Sequence, residues 1–182
     1  CLPPWRSWGP KINADESALW LSEIIPAPLE FRYVDERRLG LAALADAQSL
    51  ALTTTFNNTD TGLQSQDDGT DVRCELLTVA RTGQPEVAAA VNAAADTFEK
   101  ADGLLPAQPG VMLPSILDAP GITVHHGLFI APYLWGGRTP QFREEGRLTL
   151  ILQLVMLTDS EYAFGVEEGL SLIHISEPTR PY

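Results

Sequence analysis

The stretch Arg147–Leu157, RLTLILQLVML, is apolar on both faces of an extended chain, and Gln153 is the only strongly polar side chain inside it. A strand that wets one face alternates apolar and polar residues. This one does not, so it predicts a central strand covered on both sides. A helix must supply part of that cover, and the sequence offers one. After Gly83-Gln84-Pro85, residues Val87, Ala90, Val91, Ala94, Ala95 and Phe98 follow the helical repeat and make one apolar stripe. Pro85 suits a first turn, Glu86 favours the positive end, Lys100 the negative end, and Gly103 can terminate the helix. A stripe built mostly of Ala predicts close approach to a sheet.

The remaining segments fit around these two. Leu29–Val34 alternates like a strand after the breakers Pro26 and Pro28. Ser49–Phe56 predicts a strand with Leu50, Leu52, Thr54 and Phe56 on one face. Val72–Val79 predicts another, with Val72, Cys74 and Leu76 opposite Arg73 and Glu75. Ile122–Trp135 reads as a strand entering a loop, and 106–120, with four prolines, as an ordered connector. Asn57–Gly69 is a loop by composition, Asp15–Leu21 a helical turn, and Arg37–Asp46 fits strand or short helix. Thr158-x-x-Glu161 is a capping box opening a last helix, on which Tyr162 and Val166 share a face. Strands and helices do not alternate strictly. The expected fold is therefore a single α+β domain: a mixed, largely antiparallel sheet flanked by helices.

Charge bounds the function. The formal net charge is −12. An acidic chain repels nucleic acid and anionic membrane and attracts a basic partner. No run approaches the ~20 apolar residues a membrane helix needs. Cys1 and Cys74 form no disulfide framework. These features fit a cytoplasmic protein with a protein partner.

Constellations with chemistry are sparse. His125-His126 is the sharpest. Neighbours on a strand point to opposite faces, so the two predict no shared metal, with one bonded to a loop and the other near solvent. Paired with a carboxylate, either could serve a hydrolase, which is the alternative function. Asp60, Asp67, Asp68 and Asp71 lack the spacing of a calcium loop. Gly136-Gly137-Arg138 lacks the phosphate-loop pattern, and Ser115 and Ser160 stand in no nucleophile elbow. No catalytic residue, metal site or cofactor is expected. Among the aromatics Trp5, Trp8, Trp20, Tyr133 and Trp135, the best binding candidates are Tyr133 and Trp135, with Arg138 beside them. The bland reading of Trp135 is packing over a sheet edge.

LILQLVMLTDSEYAFGVEEG (150–169) resembles the closing signature of bacterial suppressor-of-fused-like domain proteins: a buried strand, a Pro-or-Met, Leu/Ile, Thr turn, then a Glu-Tyr helix and a Gly. DVRCELLTVAR (71–81) is similar to the family's Arg-x-Glu-Leu strand, QPGVMLP (108–114) to its Pro-Gly turn, and HGLFIAPYLW (126–135) to its strand and Pro-aromatic turn. Where the family has a Gly-x-Ser turn, this chain has Thr59-Asp60-Thr61-Gly62. The resemblance implies a mixed α+β, non-enzymatic domain that binds other proteins. Animal relatives sequester a transcription factor; similar bacterial domains are associated with toxin systems, often as immunity proteins. It brings no catalytic residues.

The end of the chain reads differently. Leu170–Arg180 can be written, residue for residue, in codons that resemble the transposon end and adapter of sequencing libraries. The expected organisation is an irregular segment 1–14, a suppressor-of-fused-like domain 15–169 incomplete at its C-terminus, and a non-native tail 170–182. On that reading His174 is no partner for His125 and His126, and the Met-less start Cys1-Leu2-Pro3-Pro4 also reflects a truncated reading frame.

Overall fold

The computed structural model describes residues 14–59, 62–65, 68–101, 103, 105–117, 123–135, 139–144 and 146–168. Of the expected irregular segment 1–14, residues 1–13 lie outside them, as does the tail 170–182, while Ala14 opens the first helix. In chain order the elements are α1 (Ala14–Ile24), β1 (Glu30–Val34), β2 (Arg37–Ala43), β3 (Ser49–Thr53), β4 (Asp71–Ala80), α2 (Gln84–Ala101), β5 (Met112–Leu113), β6 (Val124–Ile130), β7 (Phe142–Glu144), β8 (Arg147–Thr158) and α3 (Asp159–Glu168).

β8 runs through the middle of one mixed sheet ordered β1-β2-β3-β4-β8-β6-β5, with β7 paired to β8 beside β6. The β1–β4 meander is antiparallel, and β4–β8 is the one parallel pair among the described residues, in register Cys74↔Leu150. β6, β7 and β5 are antiparallel to their neighbours. This is the α+β architecture expected. Its two faces are buried separately. On one, Val87, Ala90, Val91, Ala94, Ala95 and Phe98 of α2 pack on Leu41, Ala51, Leu76, Phe129, Leu152 and Leu154. On the other, Trp20 and Leu21 of α1 and Ile25 pack on Leu50, Leu52, Leu77 and Ile151. Period-two alternation sends Ile151 to one cluster and Leu152 to the other, which is why β8 could spare no face for water. Among the described residues no helix is long and apolar enough to cross a membrane.

Several local expectations are corrected. β3 stops at Thr53, and a 3-10 turn at Phe56–Asn58 follows. Phe56 therefore joins the α2-side cluster, opposite Leu50 and Leu52, rather than sharing their face. Arg37–Asp46 resolves as β2, joined to β1 by a two-residue turn whose Asp35 (φ 49°) and Glu36 (φ 71°) both take the left-handed conformation that twists a hairpin correctly. The proline-rich connector contains β5, whose two residues pair with β6. β7 was not anticipated: three residues carry no readable period. The Thr158 box forms as expected, with the Thr158 N–H donating to Glu161 Oε1 at 2.9 Å and the Glu161 N–H to Thr158 Oγ1 at 3.2 Å. Yet Val166 does not share the buried side of Tyr162; it is 61% exposed.

Candidate functional site

After Ile130 the chain leaves the sheet at Ala131-Pro132, because proline cannot continue a ladder. The loop that follows carries the sequence candidates. Tyr133 is half-buried against Leu128, Ile130 and Leu157. Burial pushes its phenol up, partly offset by the approach of the Gln153 amide. That approach falls outside hydrogen-bond geometry, and neither amide atom of the fully buried Gln153 has a hydrogen-bond partner. Trp135 packs on the α1-side cluster, and its indole N–H donates to the Ile24 carbonyl at 2.8 Å, closing the last turn of α1. Tyr133 and Trp135 thus lie on one loop, each with one side in the core. Arg138 and Gly136-Gly137 lie outside the described residues.

The two histidines behave differently from expectation. A register shift between Val124 and His126 makes a β-bulge at His125. The rings end 6.3 Å apart, edge to face. Both bond the same connector. His125 Nδ1 meets the Leu117 carbonyl at 2.9 Å, and His126 Nδ1 accepts the Ser115 N–H at 2.9 Å. His126 is buried rather than solvent-facing. With Nδ1 occupied as an acceptor, the proton sits on Nε2, which donates to Asp159 Oδ1 at 2.6 Å. Tyr162 stacks on the imidazole at 4.4 Å. A histidine–carboxylate pair exists, as a hydrolase would need, but both ring nitrogens of His126 are engaged and the pair fastens α3 to β6. Among the described residues no three His, Cys, Asp or Glu side chains gather to hold a metal.

Two charged groups that the sequence does not single out are Glu75, fully buried, and Arg37, half-buried. Glu75 is fully buried on β4. Its Oε1 accepts from Thr53 Oγ1 at 2.6 Å and the Phe56 N–H at 2.9 Å; its Oε2 accepts from the Asn57 N–H at 3.1 Å and from Asn57 Nδ2. Burial raises its pKa to about 7 against these four donors. The carboxylate folds the chain over after β3 and makes the 3-10 turn. Burial, with the Glu75 charge adding to it, pushes the neighbouring Cys74 thiol well above its ordinary value, so that thiol is inert. Arg37, with its side chain 11% exposed, ties β2 to α2: it donates to the Asn92 carbonyl at 3.0 Å and to Asn92 Oδ1, and pairs with Glu99 at 2.6 Å and Asp96 at 3.0 Å. A clue to each was present. Glu75 interrupts an apolar strand, and Asn92 interrupts the alanine stripe of α2.

A polar cleft of about 490 Å³ opens beside Arg37, lined by Asp35, Glu36, Asp96 and Glu99 together with Arg38 and Tyr33. Tyr33 is 74% exposed there. Four carboxylates and two arginines thus gather where the β1–β2 hairpin meets the end of α2.

No protein-family profile and no curated protein matches the sequence. Solved structures do match the fold. A SUFU (suppressor of fused protein) homolog from Neisseria gonorrhoeae FA 1090 superposes with a TM-score of 0.59 at 10% identity, over 89% of this chain and 85% of that one. A chain of the Sufu–Fu complex superposes with a TM-score of 0.56 at 9% identity, over 89% of this chain and 80% of that one. The architecture is therefore that of a suppressor-of-fused-like domain. The likeness lies in the fold.

Proposed function

We propose that this chain is a non-enzymatic protein-binding domain of suppressor-of-fused type. The observation that carries the reading is the fold shared over 89% of the chain, one of the matched structures being the Sufu–Fu complex. Its partner is a basic protein, and within a bacterial toxin system the role is that of a cytoplasmic immunity protein. The net charge of −12 and the carboxylates around the 490 Å³ cleft support a basic partner. The loop bearing Tyr133 and Trp135, continued by Arg138, supplies the aromatic contacts. Trp135 is already held by its bond to the Ile24 carbonyl, so that side chain has little rotamer entropy to lose on binding.

The test is a titration against the products of the adjacent genes at roughly 50 and 500 mM salt, where the Debye length falls several-fold. The reading predicts a complex that weakens as salt rises and that suppresses the partner's toxicity. Failure to bind any basic neighbour would refute the immunity role, and salt-insensitive binding would refute the charge argument.

A further inference from the structure

β6 pairs with β8 down to Gln153, and β7 takes over only at Thr149. Among the described residues, 150–152 therefore find a strand partner on the β4 side alone. In the neighbouring row β6 ends at Ile130 and β7 begins at Phe142. A cleft of about 360 Å³ occupies this gap, with Leu150, Ile151 and Leu152 as its floor and Cys74 and Pro132 among its walls. Ile151 belongs to the α1-side cluster and Leu152 to the α2-side cluster, so the cleft reaches the strand edge itself.

The edge is polar in one place. The carbonyls of Gly146 and Leu154 face β4, where they accept from the Asp71 N–H and Thr78 Oγ1. Backbone groups alternate along a strand, so Ile151 directs its N–H and C=O the other way, into the gap. The gap is three residues long, about 10 Å at roughly 3.3 Å per residue, and both ends are closed by β6 and β7. That is too short to admit another strand. The volume lies in the range of small-molecule sites, about 300–1,000 Å³. Arg73 is the only charged residue among the described lining, and Asp71 already neutralises it at 2.7 Å. An ionised ligand would lose its hydration here without gaining a counter-charge.

We propose that this cleft binds a neutral, largely apolar small molecule carrying one hydrogen-bonding group for the Ile151 backbone. The probe is N-phenyl-1-naphthylamine, neutral and aromatic with a single N–H donor, titrated by fluorescence into the full chain. Saturable 1:1 binding is expected. Ala131→Trp, at an exposed position on the mouth, should weaken it at least tenfold while circular dichroism and the melting temperature stay unchanged. Gln141→Trp, also exposed on the rim, provides the same blockade should the first variant misfold. The anionic analogue 1-anilinonaphthalene-8-sulfonate should bind at least tenfold more weakly than the neutral probe. Absence of saturable binding, or binding unchanged in both folded variants, overturns the site; equal affinity for the anion overturns the neutral ligand class.

Discussion

Glu75 makes the stability of this domain depend on pH in a direction opposite to most carboxylates. Its folded pKa of about 7 stands above the ordinary 4.5, because burial outweighs four hydrogen-bond donors. The folded state therefore holds a proton that the unfolded state has already released. The stability this contributes is fully present below pH 4.5 and is lost as pH rises to about 7, after which it is level. At about 1.4 kcal/mol per pH unit, the loss is on the order of 3 kcal/mol. Glu75→Gln removes the titration while keeping the shape. The amide has one acceptor oxygen, so either the Thr53–Phe56 pair of donors or the Asn57 pair loses its partner. Each unsatisfied buried donor costs about 1–3 kcal/mol, and the variant should be less stable at every pH. Its deficit, however, should shrink by about 3 kcal/mol between pH 5 and pH 8, since only the parent bears the burden of the buried charge. Urea unfolding followed by tryptophan fluorescence across that range measures both curves. Parallel curves would refute the raised pKa and make Glu75 a carboxylate ionised throughout.

Further perturbations test the joints of the fold. Thr158→Ala breaks the capping box and should cost about 1 kcal/mol, with faster hydrogen exchange confined to α3. Trp135→Phe keeps the packing but frees the Ile24 carbonyl; a loss of about 1 kcal/mol should come with weaker amide protection at the end of α1. His126→Phe can retain the stack on Tyr162 but cannot accept from Ser115 or donate to Asp159; α3 should become protease-sensitive while the sheet persists, and intact protection of α3 would show that the stack alone holds it. A Cβ at Gly127 would lie 2.7 Å from Leu154 Cδ1 and 2.9 Å from Ile116 Cδ1, so Gly127→Val should destabilise by about 1–3 kcal/mol, read by thermal melting.

What could be read from the sequence divides along physical lines. Long periodic runs announced themselves: the stripe of α2 and the two-faced β8 depend only on which residues meet water. So did the Thr158 box, whose partners lie three residues apart and are fixed by local geometry. The features that escaped depend on partners distant in the chain. Glu75 sits in its strand like any half-exposed carboxylate until Thr53 and Asn57 are folded over it, 22 and 18 residues away. Arg37 meets Asn92 across 55 residues, and Trp135 meets Ile24 across 111. The histidines were misplaced for a subtler reason. Strict alternation sends neighbours to opposite faces, but the bulge at His125 breaks the alternation and lets both rings reach the same connector. That bulge also explains why a histidine–aspartate pair here need not be a catalytic one. A general base needs a nitrogen free to accept a proton. His126 spends its acceptor on the Ser115 N–H and its donor on Asp159, leaving an imidazole that holds a helix in place.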